Sequence, residues 1–339
     1  MNGGHVRVLL IALLAMTAGI AIGMRWRTVT DVAAPSAAAP VDGAGPAAPA
    51  STDEPDESGA ATADSEPDFS AEVVMYDQPR LMQEAIAAVK PGVVGKTDLY
   101  LLAFAGDGAE NVFRNEVEYA EQLFSRRFSA KGHTLILENN PATVASRPLA
   151  SWSNLETALD AIATKMDPEE DVLLLFMTTH GDQDHVLYVG MDPLPLDQIS
   201  AEDLAQMLAT RPFRWKVIVV SACYSGGFID PLRNATSMVI SASRADRASF
   251  GCGADADITW FGKAFLAEGL NQSDSFRGAF EIARRLIGEW ETREKEEPSE
   301  PQISTTPLIE SKLADWRNGL RLGPPVPFAP AVVTEPPAP

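Results

Sequence analysis

Lys216-Val217-Ile218-Val219-Val220-Ser221-Ala222-Cys223-Tyr224-Ser225-Gly226-Gly227 decides the fold. Its first half is an uninterrupted apolar run rich in β-branched residues, the pattern of a strand buried on both faces in a parallel sheet. Small residues and glycines close the run, so the strand breaks into a tight turn at Cys223. A second run, Val172-Leu173-Leu174-Leu175-Phe176-Met177-Thr178-Thr179, ends in the same manner at His180-Gly181. In open α/β sheets chemistry collects at the carboxyl ends of the strands. The two runs therefore deliver a cysteine and a histidine to one edge, the two groups that nucleophilic thiol chemistry needs.

Outward from these strands the chain alternates strand and helix. Leu99 to Ala105 is predicted as a strand closing on Gly106-Asp107-Gly108, and Asn111 to Phe128 as an amphipathic helix with Val117, Ala120, Leu123 and Phe124 on one face. His133 to Leu137 reads as a short strand, and Asn154 to Met166 as a helix with Leu155, Leu159 and Ile162 at helical spacing. Ala201 to Leu208 reads as a helix begun by Ser200, with Asp203 at the capping-box position. Ser237 to Ser241 is a further strand. Helices are expected around Phe261 to Leu270, Phe276 to Trp290 and Leu308 to Asn318, the last stopped by Gly319. This rhythm predicts an α/β fold, a mainly parallel sheet with helices on both faces.

The two ends of the chain read differently. Val8 to Met24 is a run of 17 apolar or small residues between Arg7 and Arg25-Trp26-Arg27. A cleaved secretory signal with Ala21-Ile22-Gly23 as its site is one reading. The arginines directly after the run favour an uncleaved signal-anchor over residues 1–29. Arg25 and Arg27 outweigh Arg7, which by the positive-inside rule would hold the following domain in the cytoplasm. The tether that follows is of the kind common in exported bacterial proteins, which points to a periplasmic or other extracytoplasmic placement. Residues 30–70 are rich in Ala, Pro, Ser, Asp and Glu, bury too little apolar surface to order themselves, and read as an extended linker. A Pro-rich tail is expected over 323–339, which leaves 71–322 as the domain.

Composition narrows the function. Lys and Arg number 27 against 47 Asp and Glu, a net charge of −20, which argues against a nucleic-acid partner. Cys223 and Cys252 are the two cysteines, too few for a disulfide framework or a Cys-rich zinc module. Cys223 alone could be a buried small hydrophobe. Its place at a strand end beside two glycines, with a histidine able to take its proton, favours a nucleophile.

His180-Gly181 at one strand end and Ser221-Ala222-Cys223-Tyr224-Ser225-Gly226-Gly227 at the other, followed by Ser241-Ala242-Ser243-Arg244-Ala245-Asp246-Arg247-Ala248-Ser249-Phe250-Gly251-Cys252, resemble the caspase-like clan of cysteine peptidases. Within it the chain is most similar to the legumain family, especially bacterial membrane-associated members, over roughly Leu99 to Leu270. The resemblance implies a caspase-like sheet and a cysteine endopeptidase with a peptide or protein substrate and no cofactor or metal. It implies Cys223 as nucleophile, His180 as proton shuttle, and the amides of Gly181 and Cys223 as the oxyanion hole. It also implies Arg114, counted from Gly106, as a pocket residue selecting Asn or Asp before the cut. An ordinary helix-surface arginine is the competing reading of Arg114. Ser221, Ser243 and Asp246 are further pocket candidates, with Asp255 and Asp257 behind them as solvated-loop residues that could instead select Arg or Lys. The family's histidine-orienting Asn falls on Val112, with Asn111 adjacent. Cys252 matches a cysteine without a catalytic role, although in an oxidising compartment it could pair with Cys223.

Three rival chemistries compete with this reading. His180-Gly181-Asp182-Gln183-Asp184-His185 looks like a degraded dinuclear zinc motif, but no histidine follows His185 to complete it. A phosphatase cradle needs an arginine six residues after the cysteine, and the next is Arg233. The same acyl-enzyme could transfer its acyl group to an amine instead of water. An inactive, membrane-tethered binding scaffold is the reading from outside enzymology.

Overall fold

The computed structural model describes residues 69–330. The expected signal-anchor at 1–29, the expected linker up to residue 68 and the last nine residues of the expected tail lie outside the described residues. Among the described residues no helix is long and apolar enough to cross a membrane.

The chain runs through α1 (Ala71–Ala88), β1 (Leu99–Ala105), α2 (Asn111–Arg126), β2 (Thr134–Glu138), α3 (Trp152–Lys165) and β3 (Val172–Thr178). A small hairpin, β4 (Val186–Leu187) with β5 (Ile199–Ser200), then leads into α4 (Ala201–Ala209) and β6 (Trp215–Ser221). A 3-10 turn (Ser225–Phe228) runs into α5 (Ile229–Leu232) and β7 (Ser237–Ser241). After a long loop come α6 (Trp260–Gly262), a π-helical stretch (Lys263–Gly269), α7 (Leu270–Gln272), α8 (Phe276–Glu294), β8 (Gln302–Ser304) and α9 (Pro307–Asn318). The main sheet has the order β2-β1-β3-β6-β7-β8. Its pairs are parallel except β7 with β8, so the predicted α/β, mainly parallel sheet is what the chain forms.

Every residue of β1, β3 and β6 is buried, as the apolar runs require, because helices cover both faces. Side chains alternate between the faces. Leu101, Ala103 and Ala105 join the cluster under α2, α8 and α9, whereas Tyr100, Leu102 and Phe104 join the cluster under α1, α3 and α4. Each fully buried leucine in these layers contributes about 1.5–3 kcal/mol relative to exposure.

Local chemistry sets the helix ends where the sequence placed them. Ser200 and Asp203 form the reciprocal capping box of α4, and Gly319 ends α9. The helix expected from Asn154 begins two residues earlier, since Ser151 accepts from the Asn154 amide and is the cap. Helix α1 was not anticipated. It is held by Gln78, whose buried side-chain oxygen accepts from Leu149 N at 2.8 Å and from Asn154 Nδ2 at 2.9 Å. The fold also continues past residue 322. Val326 is buried, its carbonyl accepts from the Tyr119 hydroxyl at 2.7 Å, and Phe328 packs edge-on against Tyr119, so the first part of the proline-rich tail is part of the domain.

Candidate active site

Three neighbouring strands finish level. Ala105 of β1 stands opposite Thr178 of β3, and Thr178 stands opposite Ser221 of β6. Two residues beyond each comes Asp107, His180 and Cys223, so one register step sets an aspartate, a histidine and a cysteine side by side. Ala105 belongs to the face that α2 covers, and His180 meets Phe113 of that helix.

His180 is partly exposed, and its ring packs edge-on against Phe113 of α2 with centroids 5.1 Å apart. Its Nε2 lies 3.4 Å from Asp107 Oδ2. Asp107 is only 5% exposed, and its other oxygen accepts from Ala109 N at 2.9 Å. A separation of 3.4 Å is loose for a hydrogen bond, as catalytic pairs often are before substrate binds. The orienting residue expected from the resemblance lies elsewhere: Asn111 accepts from Asn140 Nδ2, and Val112 is in the core. Sequence reasoning missed Asp107, although the signal was present in a third buried strand ending Ala105-Gly106-Asp107.

Cys223 begins a turn that its neighbours pin down. Tyr224 takes the left-handed conformation with φ 56°, which costs a non-glycine residue on the order of 1 kcal/mol and thrusts the preceding side chain out of the strand's path. The Tyr224 amide donates to Arg247 O at 2.8 Å. Below it, Ser243 accepts from Ser225 N at 3.2 Å and donates to Ala222 O at 3.3 Å. Gly181 follows the histidine closely enough that a Cβ there would collide with the Cys223 carbonyl, so the two turns touch and only glycine fits. The bridge from Gly181 to Leu187 is closed by Tyr188 N to His180 O and Asp182 N to Val186 O, which leaves the Gly181 amide outside it.

The Cys223 thiol lies below the ordinary thiol pKa. The Cys252 thiol beside it is the largest cause, joined by the Ser249 amide, the Ser249 hydroxyl and the charge of His180, with burial opposing. Ser249 N stands 3.2 Å from Cys223 Sγ. The neighbouring Cys223 thiol, with burial, pushes the Cys252 thiol upward. Both cysteines are free.

The pocket candidates scatter. Arg114 is 2% exposed, bonded to Asn140 Oδ1 at 3.1 Å and Asn115 Oδ1 at 3.3 Å, and its Nε has no protein partner. Ser221 is buried against the Thr259 hydroxyl, and Ser243 is the latch beneath the turn at Cys223. Asp246 is paired with Arg244 at the surface, and Asp255 and Asp257 are exposed. One turn along α2 from Phe113, Glu116 is fully buried, with Thr178 and Ser221 of the strand ends beside it. Burial pushes its carboxyl up to about 7, against the hydroxyls of Thr259, Ser221 and Thr178. A cleft of about 420 Å³ opens beside His180 and Gly181, on the β1 side of the histidine.

Residues 156–311 match the model of the Peptidase C13 family, the legumain family of cysteine endopeptidases. The matched span contains His180 and Cys223 and begins after Asp107 and Arg114. No curated protein matches the chain.

Proposed function

With residues 156–311 matching a family of cysteine endopeptidases as the premise, we propose that this protein hydrolyses peptide bonds through Cys223 and His180, with Asp107 holding the histidine. The observation that carries the reading is the level row of Asp107, His180 and Cys223 on adjacent strands. Asp107 Oδ2 stands beside Nε2, and in this reading Nδ1 takes the thiol proton.

The Cys223 thiol gives its proton to His180, and the thiolate attacks the substrate carbonyl carbon to form a C–S bond. The carbonyl electrons move to oxygen, where the Gly181 and Cys223 amides donate to it. One such donor is worth about 10²–10³ in rate. As the C–N bond breaks, His180 passes its proton to the leaving amine. Water then attacks the thioester and gives a proton to His180. The C–S bond breaks, a carboxylic acid leaves, and the thiolate is restored. Removal of Asp107's charge would leave the imidazolium unsupported and its ring free to turn.

For the residue before the cut the proposal is Asn or Asp, read from Arg114, whose buried guanidinium retains an unpartnered Nε. A planar guanidinium suits a side-chain carbonyl or carboxylate oxygen. The anchor over residues 1–29 is proposed to hold the domain at a membrane on its extracytoplasmic side, which fractionation with protease protection would test.

The test of the reading is a thiol-alkylating activity probe together with a peptide library read by mass spectrometry. Wild type is expected to label at Cys223 and to cut, and Cys223→Ala to do neither. Labelling without any cut peptide would favour the binding-scaffold reading. Product joined to an added amine in place of the free acid would favour transamidation.

A further inference from the structure

The cleft beside His180 has a direction. Asp107, His180 and Gly181 form one wall, and no residue of β6 or β7 lines it. It therefore lies on the far side of the histidine from the thiol. In the reaction proposed above, His180 hands its proton to the leaving amine, so the chain beyond the cut bond departs over the imidazole and into this cleft.

The remaining walls are built rather than loose. The Gln198 side-chain amide clasps Val189, accepting from its N at 2.9 Å and donating to its O at 2.8 Å. Tyr188 N donates to His180 O at 2.9 Å, and Tyr188 O accepts from Thr179 Oγ1 at 2.7 Å. The Tyr188 ring lies over Gly190, where a Cβ would collide with it. Ala109, Val186 and the Tyr188 ring supply apolar surface, and Asp182 is an exposed carboxylate on the lining.

The carboxylates on the cleft lining are Asp107 and Asp182, and the segment that carries most of the lining is acidic. From residue 181 to 210 the chain carries six carboxylates (Asp182, Asp184, Asp192, Asp197, Glu202 and Asp203) and no Lys or Arg. Burial, then the Asp107 and Asp192 carboxylates, raise the Tyr188 phenol above its ordinary value. Asp107 is answered by His180. Asp182 has no ion-pair partner among the described residues, and its Oδ1 accepts only from the Asp184 and Val186 amides, at 2.9 and 3.0 Å. An apolar trough with an aromatic face and a free carboxylate suits a long aliphatic stem ending in a cation.

We propose that this cleft binds a lysine or arginine side chain immediately after the cut bond, making Asp182 and Tyr188 specificity-determining residues. The proposal rests on the peptidase reading above.

The test is a peptide series with a constant acyl side and Lys, Arg, Ala, Leu, Phe or Asp after the cut, read as kcat/KM with products identified by mass. Lys and Arg are expected to exceed Ala by roughly five- to ten-fold, the size that one partly exposed charge pair and one cation–π contact supply together. Asp is expected to be the poorest. Asp182→Asn keeps the acceptor for the Asp184 and Val186 amides and removes the charge, so the Lys-to-Ala ratio measured within that variant should fall towards one. Raising salt on the wild type should lower the same ratio without any substitution. A preference for Leu or Phe, or a Lys-to-Ala ratio indifferent to both Asp182→Asn and salt, overturns the subsite while the peptidase reading stands. If wild type cuts none of the series, the peptidase reading fails and the subsite fails with it.

Discussion

Two rows of side chains lie two residues apart at the same sheet edge, and they behave oppositely. The outer row, Asp107, His180 and Cys223, reaches solvent at its histidine and keeps its groups ready to exchange protons. The inner row, Ala105, Thr178 and Ser221, is sealed. Helix α2 serves both, with Phe113 against the outer row and Glu116 beneath the inner one. The difference lies in what burial does to a titratable group. Neighbouring donors and the nearby histidine lower the Cys223 thiol in the outer row, whereas the enclosed Glu116 has only hydroxyls and one amide near it and favours its proton. The edge thus favours the anion at Cys223 and the neutral acid at Glu116.

The largest effect expected from this contrast is confined to the outer row. Cys223→Ala or His180→Ala should each lower kcat by about 10⁴-fold or more with the thermal melt unchanged. The double variant should be no worse than the poorer single, since both groups serve one step. A double variant ten or more times worse would separate the two residues.

Asp107→Asn comes next. It keeps the hydrogen bond from Ala109 and removes the charge facing His180, so kcat should fall about 10²-fold, with KM and the melting temperature nearly unchanged. The pH–rate profile should move as well. If kcat holds and stability falls instead, Asp107 belongs with the inner row.

The inner row should answer in stability. The folded Glu116 pKa of about 7 lies above the ordinary 4.5, so the folded state holds a proton that the unfolded chain releases between those values. That contribution is complete below pH 4.5 and is lost as pH rises through 7. Glu116→Gln, which carries no ionisable proton, should therefore gain roughly 2–3 kcal/mol relative to wild type at pH 8 and little at pH 4.5, measured by denaturant unfolding. An equal effect at both pH values would break the contrast.

The smallest effect belongs to Cys252→Ala. Removing the donor beside Cys223 should raise the nucleophile's titration, so alkylation at mildly acidic pH should slow by a few-fold and recover at alkaline pH. An unchanged alkylation profile would assign the lowered thiol to Ser249 and His180 alone.

Much of this edge was legible in the sequence, for a definite reason. β1, β3 and β6 are buried on both faces, so they appear as unbroken apolar runs whose ends name the residues at the carboxyl edge. Cys223 and His180 were found that way. Asp107 was passed over because the resemblance directed attention to Val112 and Asn111 on the next helix, while the pairing of Ala105 with Thr178 belongs to the folded sheet. Helix α1 escaped because its apolar residues recur weakly and Pro79 sits inside it, so packing through Gln78 has to complete what local preference leaves open. β8 is three half-buried residues on an edge, too short to carry a pattern. The clustered loss of Lys and Arg after Gly181 was in plain view, but it gained meaning only once the cleft showed which residues face it.

The level ending of the strands also decides which kinds of sequence change this domain can absorb. Adding or deleting one residue within β3 would turn His180 to the opposite face, away from Asp107 and Cys223, while most of the hydrophobic surface stayed covered. The connecting segments carry no such constraint, because their length does not enter the pairing of Ala105 with Thr178 or of Thr178 with Ser221. Natural variation in this lineage should therefore show length changes in the loops before and after the strands and point substitutions inside them. A one-residue shift in a strand would mark a copy that has kept its shape and lost its chemistry.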